Sequence, residues 1–175
     1  MTRGTIDDTA QAIARAQWLE LRCFEILGGW VTSTPEPEVK LLFARQSHHH
    51  AWHAELFERV RPVASGLDGS DHDEPHPRWR GVVAELEALT TTADRLAGAF
   101  LVLLPTTLAA YEEWLAVADP VRDAPLRRWL GFVCSDERAD LAEARAVADR
   151  VVGVDAAPGR AAVEAALAAA GPLLG

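Results

Sequence analysis

Cysteine, positive charge and long apolar runs are all scarce in this 175-residue sequence, and each scarcity excludes a class of protein. The two cysteines, Cys23 and Cys134, have neither metal-site nor redox spacing, which excludes a disulfide scaffold and a cysteine metal site. We expect them to be small buried apolar residues in a reduced cytoplasm. The formal net charge of −9 disfavours nucleic acid and anionic membranes as partners.

No apolar segment is long enough to indicate a membrane protein. The longest apolar run, around residues 99–104, is too short and too interrupted to span a bilayer. The first eight residues contain no apolar core, so we expect no export signal. With 49% hydrophobic and 25% charged residues, the composition is typical of one globular domain, spanning residues 1–175.

Helical periodicity dominates the chain, and no segment shows a convincing two-residue strand period. Helices are predicted at about residues 8–27, 35–61, 81–118, 122–152 and 160–170. Gly28 and Gly29 are expected to weaken or end the first helix, Pro62 to end the second, and Pro105 to kink or split the third. Residues 62–80, rich in proline, glycine and aspartate, are predicted to be a long connection.

The lengths of the connections between the four long helices are short, long and short. The 19 residues of 62–80 could extend over about 60 Å, more than the ~38 Å length of a typical helix in this chain. The predicted fold is therefore an all-α bundle of two helical hairpins joined by one crossover, with a short C-terminal helix.

Four of the six histidines lie in the segment Gln46-Ser-His-His-His-Ala-Trp-His53, inside the second predicted helix. The buried stripe of that helix is expected to contain Leu42, Trp52, Leu56 and Val60. Gln46, His49 and His53 fall on or beside this stripe, whereas His48 and His50 are expected to face flanking helices or solvent. Interior imidazoles need a hydrogen-bonding partner or a metal, so this segment predicts a polar site.

Folding the second helix back on the first brings Glu20 to the height of Gln46 and His49. On the third helix Asp94 is the one acid at that height, and on the fourth Glu137 and Asp140 lie on the inner stripe. The candidate metal ligands are therefore Glu20, Gln46, His49, His53, Asp94, Glu137 and Asp140.

This arrangement resembles the di-metal site of the ferritin-like superfamily, in which two helices each give a glutamate and two give a Glu-x-x-His pair. The resemblance covers about residues 8–152. The matching positions are Glu20, Gln46-x-x-His49, Asp94 and Glu137-x-x-Asp140. It implies a ferritin-like four-helix bundle with iron or manganese, or else zinc, and di-iron oxidase or hydroxylase chemistry.

The sequence departs from the family pattern at two of the matching positions. Gln46 stands where the pattern has a glutamate, and Asp140 stands where it has a histidine. Loss of one carboxylate would leave the charge of two divalent metals uncompensated in a low dielectric, which favours one metal or none.

Two functional classes therefore remain open. In the first, the protein is a metal-dependent oxidoreductase acting on a small or tethered substrate. In the second, it is a metal-free bundle that serves as a binding or assembly scaffold, and its interior histidines pair with Glu20 or Glu137. Tyr111 is expected to be a core tyrosine or else a radical or gating residue. His72 and His76 are expected to lie in a solvated loop, with a surface metal site as the alternative.

The sequence identifies no particular small-molecule or protein partner. The six tryptophans are expected to anchor either the core or an interface, so a homodimer stays open.

Overall fold

The computed structural model describes residues 5–62 and 77–174, and this part of the chain is helical with no strand. Its helices are α1 (Ile6–Ser33), α2 (Pro37–Arg59), α3 (Pro77–Glu87), α4 (Thr92–Val117), α5 (Ala124–Ala148) and α6 (Pro158–Ala170). The predicted all-α class is confirmed. Most of the predicted connection at 62–80, including His72 and His76, lies outside the described residues.

The third predicted helix is in fact two helices. α3 ends at Glu87 and α4 begins at Thr92. The Thr91 side chain accepts a hydrogen bond from the backbone N–H of Asp94, which caps the new helix because its first amides lack partners within the helix. The helix also begins earlier than the predicted start at Gly81. α3 begins at Pro77, and proline is favoured in a first helical turn.

Pro105 does not split α4 into two helices, which was one of the two outcomes expected for it. The residues before it, Ala97–Leu103, form a π-helical stretch in which the N–H of Leu104 donates to the carbonyl of Ala99, five residues back. A proline lacks the amide hydrogen of an α-helical turn, and π-turns are a common place for a helix to absorb such an interruption.

α4 is also the helix that is long and apolar enough, by length and composition alone, to cross a membrane. However, 56% of its most apolar stretch is buried inside the fold. Buried core helices of globular proteins have the same composition, and α4 contributes Phe100 and Leu103 to the core.

α1 continues through Gly28 and Gly29 to Ser33, so these glycines do not end the helix, which was one of the two outcomes expected for them. Gly28 instead permits close packing of α2. A β-carbon on Gly28 would lie 3.0 Å from Ser47 Oγ, and that hydroxyl donates a 2.8 Å hydrogen bond to the carbonyl of Phe24. Close contact between two helices therefore explains this glycine, rather than helix termination.

Alanine substitutions at the two glycines are expected to have opposite effects on stability. Gly28→Ala should destabilise the protein by about 1–3 kcal/mol because Ser47 must move and lose its bond to Phe24. Gly29→Ala should stabilise it by about 0.5–1 kcal/mol, because Gly29 is exposed with nothing near its β-carbon position. Urea unfolding of both variants measures the difference. Equal effects would contradict the assigned role of Gly28.

Four helices meet through antiparallel pairs. α1 runs antiparallel to α2, since Ser47 contacts Phe24 while His50 contacts Glu20. α2 runs antiparallel to α5, as shown by Glu38–Arg150 at one end and His53–Asp136 at the other. α4 pairs with α1 through Arg95–Trp30 and Tyr111–Glu20, and with α5 through Glu112–Arg138.

Candidate metal centre

Four buried side chains from three helices converge in the interior. Glu20 comes from α1, His50 and His53 from α2, and Glu137 from α5, and none is more than 2% exposed. One ligand atom from each lies within 4.8 Å of the others. Imidazole nitrogens and carboxylate oxygens are ligands for first-row metals, so this cluster could hold a metal ion.

Three of the separations between ligand atoms of the cluster are close to those of a tetrahedral ligand shell. His53 Nδ1 lies 3.4 Å from both Glu20 Oε2 and Glu137 Oε1, and His50 Nδ1 lies 3.5 Å from Glu137 Oε1. Ligands placed ~2.0–2.1 Å from a tetrahedral metal are separated by roughly 3.3 Å. The fourth distance, His50 Nδ1 to Glu20 Oε2, is 2.6 Å, because these two atoms form a hydrogen bond.

Two of the converging atoms have no hydrogen-bonding partner among the described residues. They are His53 Nδ1 and Glu137 Oε1, which face each other at 3.4 Å. Buried polar atoms without partners are costly and uncommon. A cation bound between them would coordinate both atoms, so the donor set fits a metal.

A second layer of polar groups orients the cluster. The Tyr111 hydroxyl, fully buried on α4, donates a 2.8 Å hydrogen bond to Glu20 Oε1. Asp136 Oδ2 lies 3.4 Å from His53 Nε2, and the Asp136 side chain is 34% exposed. Histidines that bind a metal through one ring nitrogen commonly donate the other N–H to a carboxylate, and Asp136 is placed to accept it.

The electrostatics of the cluster favour charged side chains. Burial opposes ionisation of Glu20, but His50 and His53 outweigh it and lower the pKa of Glu20 to about 2. Burial likewise opposes protonation of His53, and the carboxylates of Glu137 and Glu20 overcome it, raising its pKa to about 11. Against the same effect of burial, these carboxylates also raise the pKa of His50. His53 is therefore an imidazolium ion at neutral pH when no metal is bound, and the same carboxylates favour the protonated form of His50.

The surroundings of the cluster strongly disfavour further negative charge. Burial, together with the charges of Glu20 and Glu137, raises the pKa of Cys23 well above its usual value. Burial and the same carboxylates also raise the pKa of Tyr111. Both groups are therefore neutral around pH 7 and add no negative charge to the cluster.

Three of the predicted ligands, Glu20, His53 and Glu137, lie in the cluster. The prediction that His49 joins them in one central region is wrong: its side chain is 30% exposed, and its Nδ1 pairs with Asp140 Oδ2 at 2.8 Å. The expectation that His50 faces a flanking helix or solvent is also wrong, because His50 is 2% exposed and bonds to Glu20.

The remaining predicted ligands lie outside the cluster. Gln46 is buried but donates its amide to the backbone carbonyl of Asp140. Asp94 lies at the start of α4, where its carboxylate accepts the N–H of Gly159 at 2.7 Å. It does not reach the height of Glu20, because the break before Thr92 shifts the register of α4 and brings Tyr111 there instead.

A one-residue error in the phase of α2 accounts for the exchange of His49 for His50. Trp52, expected in the buried stripe, is 44% exposed, whereas Val39 and Phe43 are fully buried. A stripe drawn through Val39 and Phe43 continues to His50 and His53 at steps of three and four. These two apolar residues are a sequence signal for His50, but Leu42 and Leu56, which are also buried, lie on a stripe that passes through His49.

No protein-family model, curated protein or solved structure matches this chain. Any function for it must therefore be argued from the geometry and chemistry of its own residues.

Proposed function

We propose that this protein binds one divalent first-row metal ion through Glu20, His50, His53 and Glu137. The observation that carries the proposal is that two histidines and two glutamates are buried together. Three of the distances between a histidine nitrogen and a glutamate oxygen are 3.4–3.5 Å. His53 Nδ1 and Glu137 Oε1 support it further: they form an ion pair at 3.4 Å but make no hydrogen bond among the described residues, and a cation would coordinate both.

Charge balance favours a single metal. Two carboxylates neutralise one divalent cation, so the occupied site would be as neutral as the free cluster of two imidazolium ions and two carboxylates. A second divalent cation would add two uncompensated charges to a fully buried site. Binding one metal would therefore displace about two protons from the histidines, since histidine must be neutral to coordinate.

The donor set favours zinc over the iron or manganese implied by the ferritin-like resemblance. Four protein ligands at tetrahedral separations suit Zn²⁺, whereas Mn²⁺ prefers octahedral, oxygen-rich sites and non-haem iron enzymes keep open positions for substrate. Divalent iron and manganese also bind such ligands more weakly than zinc. A site closed by four protein ligands is typical of a metal that stabilises the fold.

We also propose ferritin-like connectivity for the four helices α1, α2, α4 and α5. The antiparallel pairs α1–α2, α2–α5, α5–α4 and α4–α1 support it, because they make α2 and α4 run in the same direction, as a crossover connection requires. In this register His50-x-x-His53 takes the place of one Glu-x-x-His pair. Tyr111 then lies on α4 at the level where the ferritin-like pattern has a glutamate, and its hydrogen bond to Glu20 agrees with that position.

Oxidase or hydroxylase activity, and a cytoplasmic location, stay predictions. The metal-free scaffold is the second candidate function, and the 2.6 Å bond between His50 and Glu20 favours it. That bond is the contact expected of a cluster that balances its own charges with protons alone.

Metal analysis after reconstitution tests the proposal directly. Chelator-treated protein that is exposed to Zn²⁺ and desalted should retain one zinc per chain, measured by elemental mass spectrometry. Calorimetry in buffers of different ionisation enthalpy should detect about two protons released per zinc at pH 6. Glu137→Gln should reduce retention at least tenfold, because it replaces a charged ligand with a neutral one of similar shape.

The matched control for that experiment is His49→Ala, which removes a neighbouring histidine that lies outside the cluster. It should retain zinc as the unsubstituted protein does. Zinc retained equally by both variants, or no zinc retained by the unsubstituted protein, would favour the metal-free scaffold. Two metals per chain would contradict the single-ion site.

A further inference from the structure

A large cavity lies apart from the Glu20–Glu137 cluster, on another face of α1 and α4. Its volume is about 830 Å³, and its walls come from the start of α1, the last turns of α4 with the turn that follows, α3 and the C-terminal residues 171–174. We call it the α4-end cavity. Cavities that bind small organic molecules have volumes of about 300–1,000 Å³, so this one has the size of a ligand site.

The walls of the α4-end cavity combine aromatic and aliphatic surface. Trp79 and Trp114 provide indole rings, and Ala12, Val117 and Leu173 are among the apolar residues beside them. Trp79 is 2% exposed, and its Nε1–H has no hydrogen-bonding partner among the described residues. A buried indole usually has an acceptor, so an acceptor oxygen on a ligand that reached this donor would complete its hydrogen bonding.

The charged residues of the cavity are mostly acidic. Asp8, Glu113, Asp119 and Asp123 line it together with a single cation, Arg122. Arg122 is paired with Asp123 at 2.9 Å, and its charge also lowers the pKa of Asp119, so four carboxylates on the wall face one cation. Such a wall attracts cations and repels anions.

Two of these carboxylates are held in their charged form by the backbone. Asp119 accepts the N–H groups of Arg122 and Val121, which lower its pKa. Asp8 accepts the N–H of Thr5 in the first turn of α1, which lowers the pKa of Asp8. The negative charge of the cavity therefore persists through the physiological pH range, and indole rings beside it add cation–π attraction.

We propose that the α4-end cavity binds an organic cation with an apolar body and an acceptor oxygen. The apolar body packs against Trp114 and the aliphatic residues, the oxygen accepts the Nε1–H of Trp79, and the cationic group lies near Glu113. This binding does not depend on the metal site.

Benzoylcholine is a suitable probe, because it joins an aromatic ring, an ester carbonyl and a quaternary ammonium group. Its neutral isostere, 3,3-dimethylbutyl benzoate, has the same shape without the charge. We expect saturable binding of benzoylcholine to the full chain by calorimetry or saturation-transfer NMR, and at least about tenfold weaker binding of the isostere. Chelator should leave the result unchanged, which separates this cavity from the metal proposal.

Substitutions at adjacent glutamates locate the binding. Glu113→Gln should weaken benzoylcholine binding about threefold to tenfold, since it removes one carboxylate of the cavity. Glu112→Gln is the matched control: Glu112 is the preceding residue, pairs with Arg138 outside the cavity, and should leave binding unchanged. Trp79→Phe should weaken binding of the ester while keeping the aromatic wall.

Each alternative result overturns the proposal. Absence of saturable binding up to about 1 mM would exclude a site of useful affinity. Equal binding of probe and isostere would show that the cavity selects apolar molecules without regard to charge. Equal effects of Glu113→Gln and Glu112→Gln would show that the cation binds elsewhere on the acidic surface.

Discussion

Zn²⁺ added to chelator-treated protein is expected to raise its melting temperature by about 5–10 °C. The metal binds only the folded state, because only there do α1, α2 and α5 bring Glu20, His50, His53 and Glu137 together. At free zinc a hundredfold above Kd, mass action adds about 2.7 kcal/mol to the free energy of unfolding. In a domain of this size, each kcal/mol raises the melting temperature by about 2–4 °C. Calorimetric melts with and without zinc measure the effect.

The variants that test this prediction differ in whether they touch the cluster. Glu137→Gln should abolish the response to zinc, whereas His49→Ala should retain it, because His49 pairs with Asp140 outside the cluster. Fe²⁺ and Mn²⁺ should give smaller shifts than zinc at equal concentration. A melting temperature that no divalent metal changes would end the metal proposal in favour of the metal-free scaffold.

Without metal, the stability of the protein is expected to fall as the pH rises above about 6.5. The pKa of His53 in the folded state is about 11, and that of His50 is also raised. Between the unfolded and folded pKa values the folded state binds more protons than the unfolded state. The free energy of unfolding therefore decreases with pH, by about 1.4 kcal/mol per pH unit for each extra proton.

The opposite dependence is expected at acid pH. Because the pKa of folded Glu20 is lowered to about 2, the folded state binds fewer protons than the unfolded state below about pH 4.5. The stability that the Glu20 carboxylate contributes is present above that value and is lost as the pH falls towards 2. The contribution of Glu20 and these histidines to the stability of the metal-free protein is therefore largest between about pH 4.5 and 6.5.

Urea unfolding in chelator at several pH values between 4 and 9 measures this dependence. Besides the histidines of α2, the cluster groups with shifted pKa values are Glu20 and Cys23 of α1 and Tyr111 of α4, and Asp136 and Glu137 of α5 contact the histidines. Nitrogen-15 NMR should find the His53 imidazole still protonated at pH 8. A neutral His53 at that pH would contradict the buried ion pairs.

Bound zinc should cancel the loss of stability on the alkaline side, because the histidines are then neutral in the folded and the unfolded state alike. Coordination requires neutral imidazoles, so protons compete with the metal, and the stabilisation by zinc should increase from pH 5 to pH 8. Melting curves at matched zinc concentration then diverge from the metal-free curves as the pH rises. A zinc effect that is independent of pH would show that the metal does not displace protons from His50 and His53.

Local patterns in the sequence were sufficient to predict the helical class and part of the site. Glu20 and Glu137 each interrupt an apolar stripe on a long amphipathic helix, and an acid in such a position must be buried with a partner. His53 follows from the same argument. These three residues are buried together in the structure.

The sequence by itself could not choose between His49 and His50, and tertiary packing decided it. Successive residues on a helix are about 100° apart, so a phase error of one residue exchanges an inward side chain for an outward one. The stretch from Gln46 to His53 has only Ala51 and Trp52 as apolar markers. Packing of Ser47 against Gly28 fixes the rotation of α2, which turns Trp52 outward and His50 inward.

Contacts between distant segments likewise decided which residue of α4 lies beside the cluster. The break before Thr92 sets which turn of α4 reaches Glu20, and it brings Tyr111 there instead of Asp94. Sequence spacing determines which residues share a face of one helix, but the relative height of two helices depends on how their surfaces interlock. The helices and their buried acids were therefore determined locally, whereas the burial of His50 on α2 and the position of Tyr111 beside Glu20 were determined by tertiary packing.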